Sequence, residues 1–169
     1  MASMHAPVWT RLAQRSALVL GAGLLAAGLS ATDARAADVI ELTQTGCQFL
    51  EPEGQDLGHQ PAKKADCDAI NAESGGDRLN ASETLTLKPG KYVFRVKNTD
   101  VPYELGFWVR EKDYDWRNTL HKVTKTSVSG GGLMLGQTKD YEVELKPGEY
   151  VYSCPLNPTP NYRLVVTEG

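Results

Sequence analysis

A ten-residue pattern that occurs twice sets the terms for this chain. Leu85-Thr86-Leu87-Lys88-Pro89-Gly90-Lys91-Tyr92-Val93-Phe94 returns as Val143-Glu144-Leu145-Lys146-Pro147-Gly148-Glu149-Tyr150-Val151-Tyr152. In each copy a short alternating run meets Lys-Pro-Gly and a second alternating run leaves. Proline presets the first corner of a turn and glycine accepts a positive φ at the next, so each copy reads as strand, type II turn, strand. Two readings fit: a pair of similar hairpins, or pseudo-symmetric halves of one Greek-key sandwich.

The rest of the chain supplies more strands and no long helical period. Val39 to Gln44 alternates apolar and polar residues. Tyr92 to Lys97, Tyr103 to Arg110, Asp140 to Leu145, Glu149 to Cys154 and Tyr162 to Thr167 do the same. Short strands with turn signals between them predict an all-β sandwich. Two stretches break the pattern. Glu51 to Asn80 is rich in glycine, proline and scattered charge, and reads as an insertion or long loop with a short helical turn around Ala65 to Ala72. Glu111 to Ser129 is mixed and polar, and Gly130 to Gly132 follows as a flexible or close-approach segment. Met134, between Leu133 and Leu135, is expected to pack in the core.

The N-terminus has a different logic. Arg11 and Arg15 precede the uncharged run Ser16 to Leu29, and Ala34-Arg35-Ala36 has the small-x-small form of a cleavage site. The run is too short to span a bilayer comfortably. Residues 1–36 are therefore expected to be a signal peptide, and 37–169 a single domain carrying the 51–80 insertion. Without Arg11, Arg15, Arg35 and Asp33, 15 basic and 20 acidic residues remain, a net charge of −5. With no basic patch, nucleic acid and anionic membrane surfaces are not expected partners.

Export allows disulfides. Three cysteines are present, Cys47, Cys67 and Cys154. A Cys47–Cys67 bridge ties the insertion to the first strand, closes a loop of about 20 residues and is worth about 3 kcal/mol on chain entropy; it is favoured over either bond to Cys154. Cys154 itself is open to three readings: a buried structural thiol, a disulfide partner, or a metal ligand.

The sequence ends on Gly148-Glu149-Tyr150-Val151-Tyr152-Ser153-Cys154, the stiff loop Pro155-Leu156-Asn157-Pro158-Thr159-Pro160, and a last strand. With the Pro-Gly corner, the strand ending at Asn98 and the Val101-Pro102 element entering the next strand, this order of parts resembles the cupredoxins. These are the blue-copper sandwiches of the plastocyanin and azurin type. It is closest to the cupredoxin-like domains of periplasmic iron-uptake proteins. The resemblance covers the first strand and 81–168, and implies a Greek-key cupredoxin-like sandwich. It also implies a copper ligand at Cys154. However, Tyr103 stands where the family has its first histidine, and the loop after Cys154 contains neither histidine nor methionine. A blue-copper centre needs two imidazoles and a thiolate, so the resemblance implies the scaffold rather than the ordinary centre.

The expected function is accordingly an exported, periplasmic, non-enzymatic binding or interaction module with a degenerate copper site and no cofactor. Its partner is a periplasmic protein, and its surface is Tyr103, Glu104, Asn157, Pro158 and Pro160, with Trp108 nearby. The alternative is a copper-binding or electron-transfer protein using Cys154 and Met134 in a rearranged site, with His59 or His121 as a third ligand. Tyr103 and Glu104 are read as filling the vacated pocket by hydrogen bonding, or as binding a hard cation. Enzyme signatures are missing: there is no Cys-x-x-Cys, Gly-x-Ser-x-Gly or His-Glu-x-x-His.

Overall fold

The two Lys-Pro-Gly corners join different sheets rather than forming hairpins. The computed structural model describes residues 36–168; the expected signal peptide lies outside the described residues. Among the described residues nine strands form two mixed sheets. The four-stranded sheet has the order β2 (Gln48–Phe49), β1 (Asp38–Thr45), β4 (Gly90–Asn98), β7 (Thr138–Leu145). The five-stranded sheet has the order β3 (Leu85–Leu87), β9 (Tyr162–Val166), β8 (Gly148–Ser153), β5 (Leu105–Glu111), β6 (Ser127–Leu133). Two pairings are parallel, β1 with β4 and β3 with β9; the others are antiparallel. The first corner takes the chain from β3 across to β4, and the second takes it back from β7 to β8.

A tyrosine clamps each corner. The Tyr92 hydroxyl donates to the Lys88 carbonyl at 2.8 Å, and the Tyr150 hydroxyl donates to the Lys146 carbonyl at 3.0 Å and accepts from the Lys146 N–H at 3.2 Å. The rings are buried while each hydroxyl reaches back four residues to the turn. The glycines are not in the conformation that a type II turn requires. Gly90 has no positive φ and Gly148 sits at +153°. The crossing between sheets therefore comes from a different turn geometry, held by the tyrosines.

The sheets close on an aromatic core. Phe107 of the five-stranded sheet lies 5.2 Å from both Phe94 and Tyr141 of the other sheet, and 6.0 Å from Phe49. Tyr152 and Tyr162 extend the cluster at 5.5 Å from each other. Edge-to-face and tilted contacts of this kind add to the free energy of burying the rings. Around them pack Leu42, Val96, Leu105, Val109, Leu145 and Leu164.

The insertion is largely helical rather than a long loop, and the helical turn expected around Ala65 to Ala72 is part of a longer helix. It holds α1 (Leu50–Glu53) and an 18-residue helix α2 (Lys64–Ala81). Asp66 closes the start of α2 by accepting the Ala62 and Lys63 N–H groups at 2.9 and 3.1 Å. Gly75 and Gly76 sit inside the helix, where each opposes helix formation by about 1 kcal/mol relative to alanine; Gly75 is buried. The 111–129 stretch contains a single turn, α3 (His121–Thr124), and the start of β6. Gly130 to Gly132 belongs to that strand. Among the described residues no helix is long and apolar enough to cross a membrane.

Replacing Tyr92 or Tyr150 with phenylalanine leaves a buried ring but removes the clamp. Each change is expected to lower unfolding free energy by about 1 kcal/mol, read as a shifted urea midpoint with unchanged slope.

Candidate functional site

Strand directions gather one set of loops at one end of the sandwich. β1, β4, β6 and β8 all end there and β5 begins there, Leu105 lying opposite Leu133. This brings the β1–β2 turn, residues 99–104, the 134–137 turn and the 154–161 loop together. β8 delivers Cys154 to the mouth of that loop, 1% exposed. Its sulfur accepts the N–H of Gly106 at 3.4 Å and of Asn157 at 3.2 Å. The sequence at β5 makes the first contact. Gly106 sits at a register shift between Leu105 and Phe107, and a Cβ there would lie 2.6 Å from the Gly130 carbonyl oxygen. Burial pushes the Cys154 thiol up, partly opposed by the Gly106, Asn157 and Leu156 amides.

Asn157 is the residue that joins the loops. It is fully buried. Its Oδ1 accepts the Cys47 N–H at 3.0 Å and the Tyr103 hydroxyl at 3.2 Å, and its Nδ2 donates to the Thr45 carbonyl at 2.9 Å. The same oxygen lies 3.0 Å from Cys67 Sγ, a sulfur that carries no proton because Cys67 is bonded to Cys47. The expected Cys47–Cys67 bridge is therefore present, Cys154 is free and buried, and the sealed corner contains both.

Helix α2 locks onto this corner through a polar face. Cys67, Asn71, Gly75 and Arg78 fall on one side by helical spacing. Asn71 Nδ2 donates to the Pro158 carbonyl at 2.6 Å. Arg78 donates to Asn71 Oδ1 at 2.8 Å, to the Cys47 carbonyl at 3.0 Å, and to both oxygens of Glu53 at 2.7 and 3.1 Å. Arg78 and Glu53 side chains are 9% and 4% exposed. Glu53 also accepts the Tyr162 hydroxyl. Asn71, Arg78, Glu53 and Tyr162 were not singled out by the sequence. The signal that marks Asn71 and Arg78 is their helical spacing from Cys67, with the small Gly75 between them; Glu53 on α1 and Tyr162 on β9 carry no such local mark.

The expected surface residues divide. Asn157 and Pro160 are buried and belong to the support of the loop rather than its surface. Tyr103 and Pro158 are half-buried. Glu104 does not pair with Tyr103; its carboxylate accepts the Gly132 N–H at 2.6 Å. Trp108 donates from its indole to Ser127 at 2.8 Å and carries Arg110 over its ring at 3.9 Å. Met134 is 47% exposed, so it is not core, because the 134–137 turn holds it outside.

The donor set does not fit a type 1 copper centre. Main-chain amides point at the sulfur. The phenols of Tyr103 and Tyr141 are pushed up to about 12, first by burial and then by Cys154. His121 accepts the Asp115 N–H at 3.0 Å in the β5–β6 connection, and His59 lines a cleft with Asp100 and Pro102. Among the described residues no three His, Cys, Asp or Glu side chains gather to hold a metal ion.

No protein-family model matches the chain, and no curated protein matches it.

Two outcomes test the corner. Arg78→Ala leaves Glu53 buried without its cation and is expected to cost about 3–5 kcal/mol, while the double change Arg78→Met, Glu53→Leu costs less; paired urea titrations decide this. The second is alkaline. The folded state keeps protons on Cys154, Tyr103 and Tyr141 that the unfolded chain releases from about pH 8.5 to 10. Their stabilising effect is fully present below that range and is lost as pH rises through the folded values. The urea midpoint should fall steadily above about pH 9, with tyrosinate absorbance lagging that of denatured protein.

Proposed function

We propose that the chain is an exported, non-enzymatic interaction module on a cupredoxin-like scaffold, with a structural rather than metal-binding cysteine corner. The mixed pairing, with β1 parallel to β4 and β3 parallel to β9, and the placement of Cys154 between β8 and β9 support the scaffold. The observation that carries the reading is the state of Asn157. Its carboxamide holds the end of β1, the β1–β2 turn and the 99–104 segment at once, and its main-chain N–H ties it to Cys154 in its own loop, so the 154–160 loop is fixed before any partner arrives. A preordered loop loses little entropy on binding.

What this fixed loop presents is apolar. Leu156, Met134 and Leu135 are 37%, 47% and 54% exposed at the same end of the sandwich. Tyr103 and Pro158 stand beside the buried supports. The contact surface is thus shifted from the buried Asn157 and Pro160 to these neighbours, and the partner it suits is a protein with a complementary apolar patch.

The test combines capture with metal loading. Immobilised protein is expected to retain a partner from an extract of its own compartment. Leu156→Asp with Met134→Asp should abolish that capture without changing the urea midpoint. Capture that survives both changes refutes the surface. After loading with Cu(I) and Cu(II) and desalting, no copper should remain. One retained equivalent that disappears in Cys154→Ser overturns the structural reading in favour of copper handling or electron transfer.

A further inference from the structure

A second feature lies on the side of the sandwich. β1 is paired with β4 along its length, but on its other side only Gln44 and Thr45 meet β2. The Thr43 N–H on that open side is taken by both oxygens of Glu51 at 2.9 and 2.8 Å. Peptide groups alternate along a strand, so those of Val39 and Glu41 point the same way as that of Thr43. Among the described residues no strand lies against them.

This open edge borders a groove of about 230 Å³. Its floor is Ile40, Leu42, Pro52 and Leu85, and its rim carries Glu41, Glu51 and Glu83. β3, which contributes Leu85, is the edge of the other sheet. The groove is therefore the seam where both sheets end. Glu51 blunts the edge at Thr43 and leaves it open lower down, where the acidic rim continues.

We propose that this seam binds an extended peptide segment with alternating apolar and cationic side chains, added as a short strand to β1. Three constraints select that chemistry. Open N–H and C=O groups at Val39 and Glu41 demand an extended backbone. An added strand turns alternate side chains toward the floor beside Ile40 and Leu42, so those must be apolar. The others fall on the outer face beside Glu41, and with Glu51 and Glu83 lining the same seam and Arg95 of β4 already paired to Asp140, the net acidic rim favours Lys or Arg. A second copy pairing through its own β1 is disfavoured, because it sets the Glu41-bearing edges against each other. The seam is separate from the 154–160 loop and does not depend on the reading of that end.

The probe is acetyl-Lys-Val-Lys-Val-Lys-Val-Lys-amide, with two controls: the same peptide with Glu for Lys, and the Lys peptide N-methylated at every second residue. The Lys peptide is expected to slow hydrogen exchange at the Val39 and Glu41 amides. It should bind at least about tenfold more tightly than either control. Glu41→Lys with Glu83→Lys should weaken it by a similar factor, with a thermal midpoint near that of the parent protein. Equal binding of the N-methylated peptide reduces the effect to charge and overturns strand addition. Absence of protection at Val39 and Glu41 overturns it as well. So does protection of those amides that appears with protein concentration alone, which would assign the edge to a second copy.

Discussion

A carboxamide withdrawn from water must find partners for both its ends, and the end of this sandwich is arranged around that requirement. Asn157 is fully buried, and its partners come from the β1–β2 turn, the end of β1 and the 99–104 segment. None of these lies near it in sequence. Moving the β1–β2 turn or the end of β1 leaves a buried donor or acceptor unpaired, at about 1–3 kcal/mol. The three prolines around Asn157 limit what the loop can do on its own; the amide selects which of the remaining arrangements is used. Cys154 is protected as a consequence. The same loop that carries Asn157 donates its N–H to the sulfur and closes over it. A thiol that is sealed and protonated is a packing element, and its chemistry is that of the interior rather than of a reactive site.

The insertion works by the same rule and inverts the usual one for helices. α2 faces the protein with Cys67, Asn71, Gly75 and Arg78, a stripe with no large aliphatic residue. It is held by a disulfide, an amide-to-carbonyl bond and a bidentate ion pair. Gly75 is buried on that face, and Gly46 passes so close to the insertion that a Cβ would meet the His59 carbonyl oxygen at 2.0 Å. Close backbone approach and satisfied polar groups replace hydrophobic burial here. Replacing both members of a buried ion pair by apolar residues is often tolerated, whereas removing one is not. That makes Arg78 and Glu53 a unit: each keeps the other tolerable, and together they hold α1, α2, Cys47 and, through Tyr162, β9.

This explains which parts were legible in the residues. Strands were, because their apolar residues alternate: β1, β4, β7, β8 and β9 fall within a residue or two of where the period places them. The Cys47–Cys67 bridge was, because an insertion leaving the first strand needs an anchor. α2 was legible only as a short helical turn around Ala65 to Ala72 and not at its full length, since a search for apolar residues at helical spacing finds glycines and amides instead. The repeat was legible as a repeat but not as a crossing between sheets. Whether Lys-Pro-Gly makes a hairpin or a corner depends on what each flanking strand packs against, and the tyrosine four residues after each lysine is the local mark of the corner. Met134 was misplaced for a similar reason. Two flanking leucines suggest a core, but the turn closed by Gln137 puts Met134 and Leu135 outside while Leu133 goes in.

The Cys154 end and the β1 edge deal with unpaired backbone in opposite ways. At the Cys154 end turns are pinned by side chains, and the sulfur accepts the Gly106 and Asn157 amides. Along β1 the opposite holds. Thr43 is capped by Glu51, but two residues lower the peptide groups of the same strand face an apolar seam rimmed with carboxylates. Sheet edges left open in native proteins are usually guarded by charge that repels a like edge. Glu41 supplies such a guard against a second copy. A guard of one sign is also a selector, because the charge that turns away an identical edge attracts an edge of opposite charge. The rigid end and the open seam thus follow from one constraint, that backbone polar groups must be paired, met internally in the first place and left to a partner in the second.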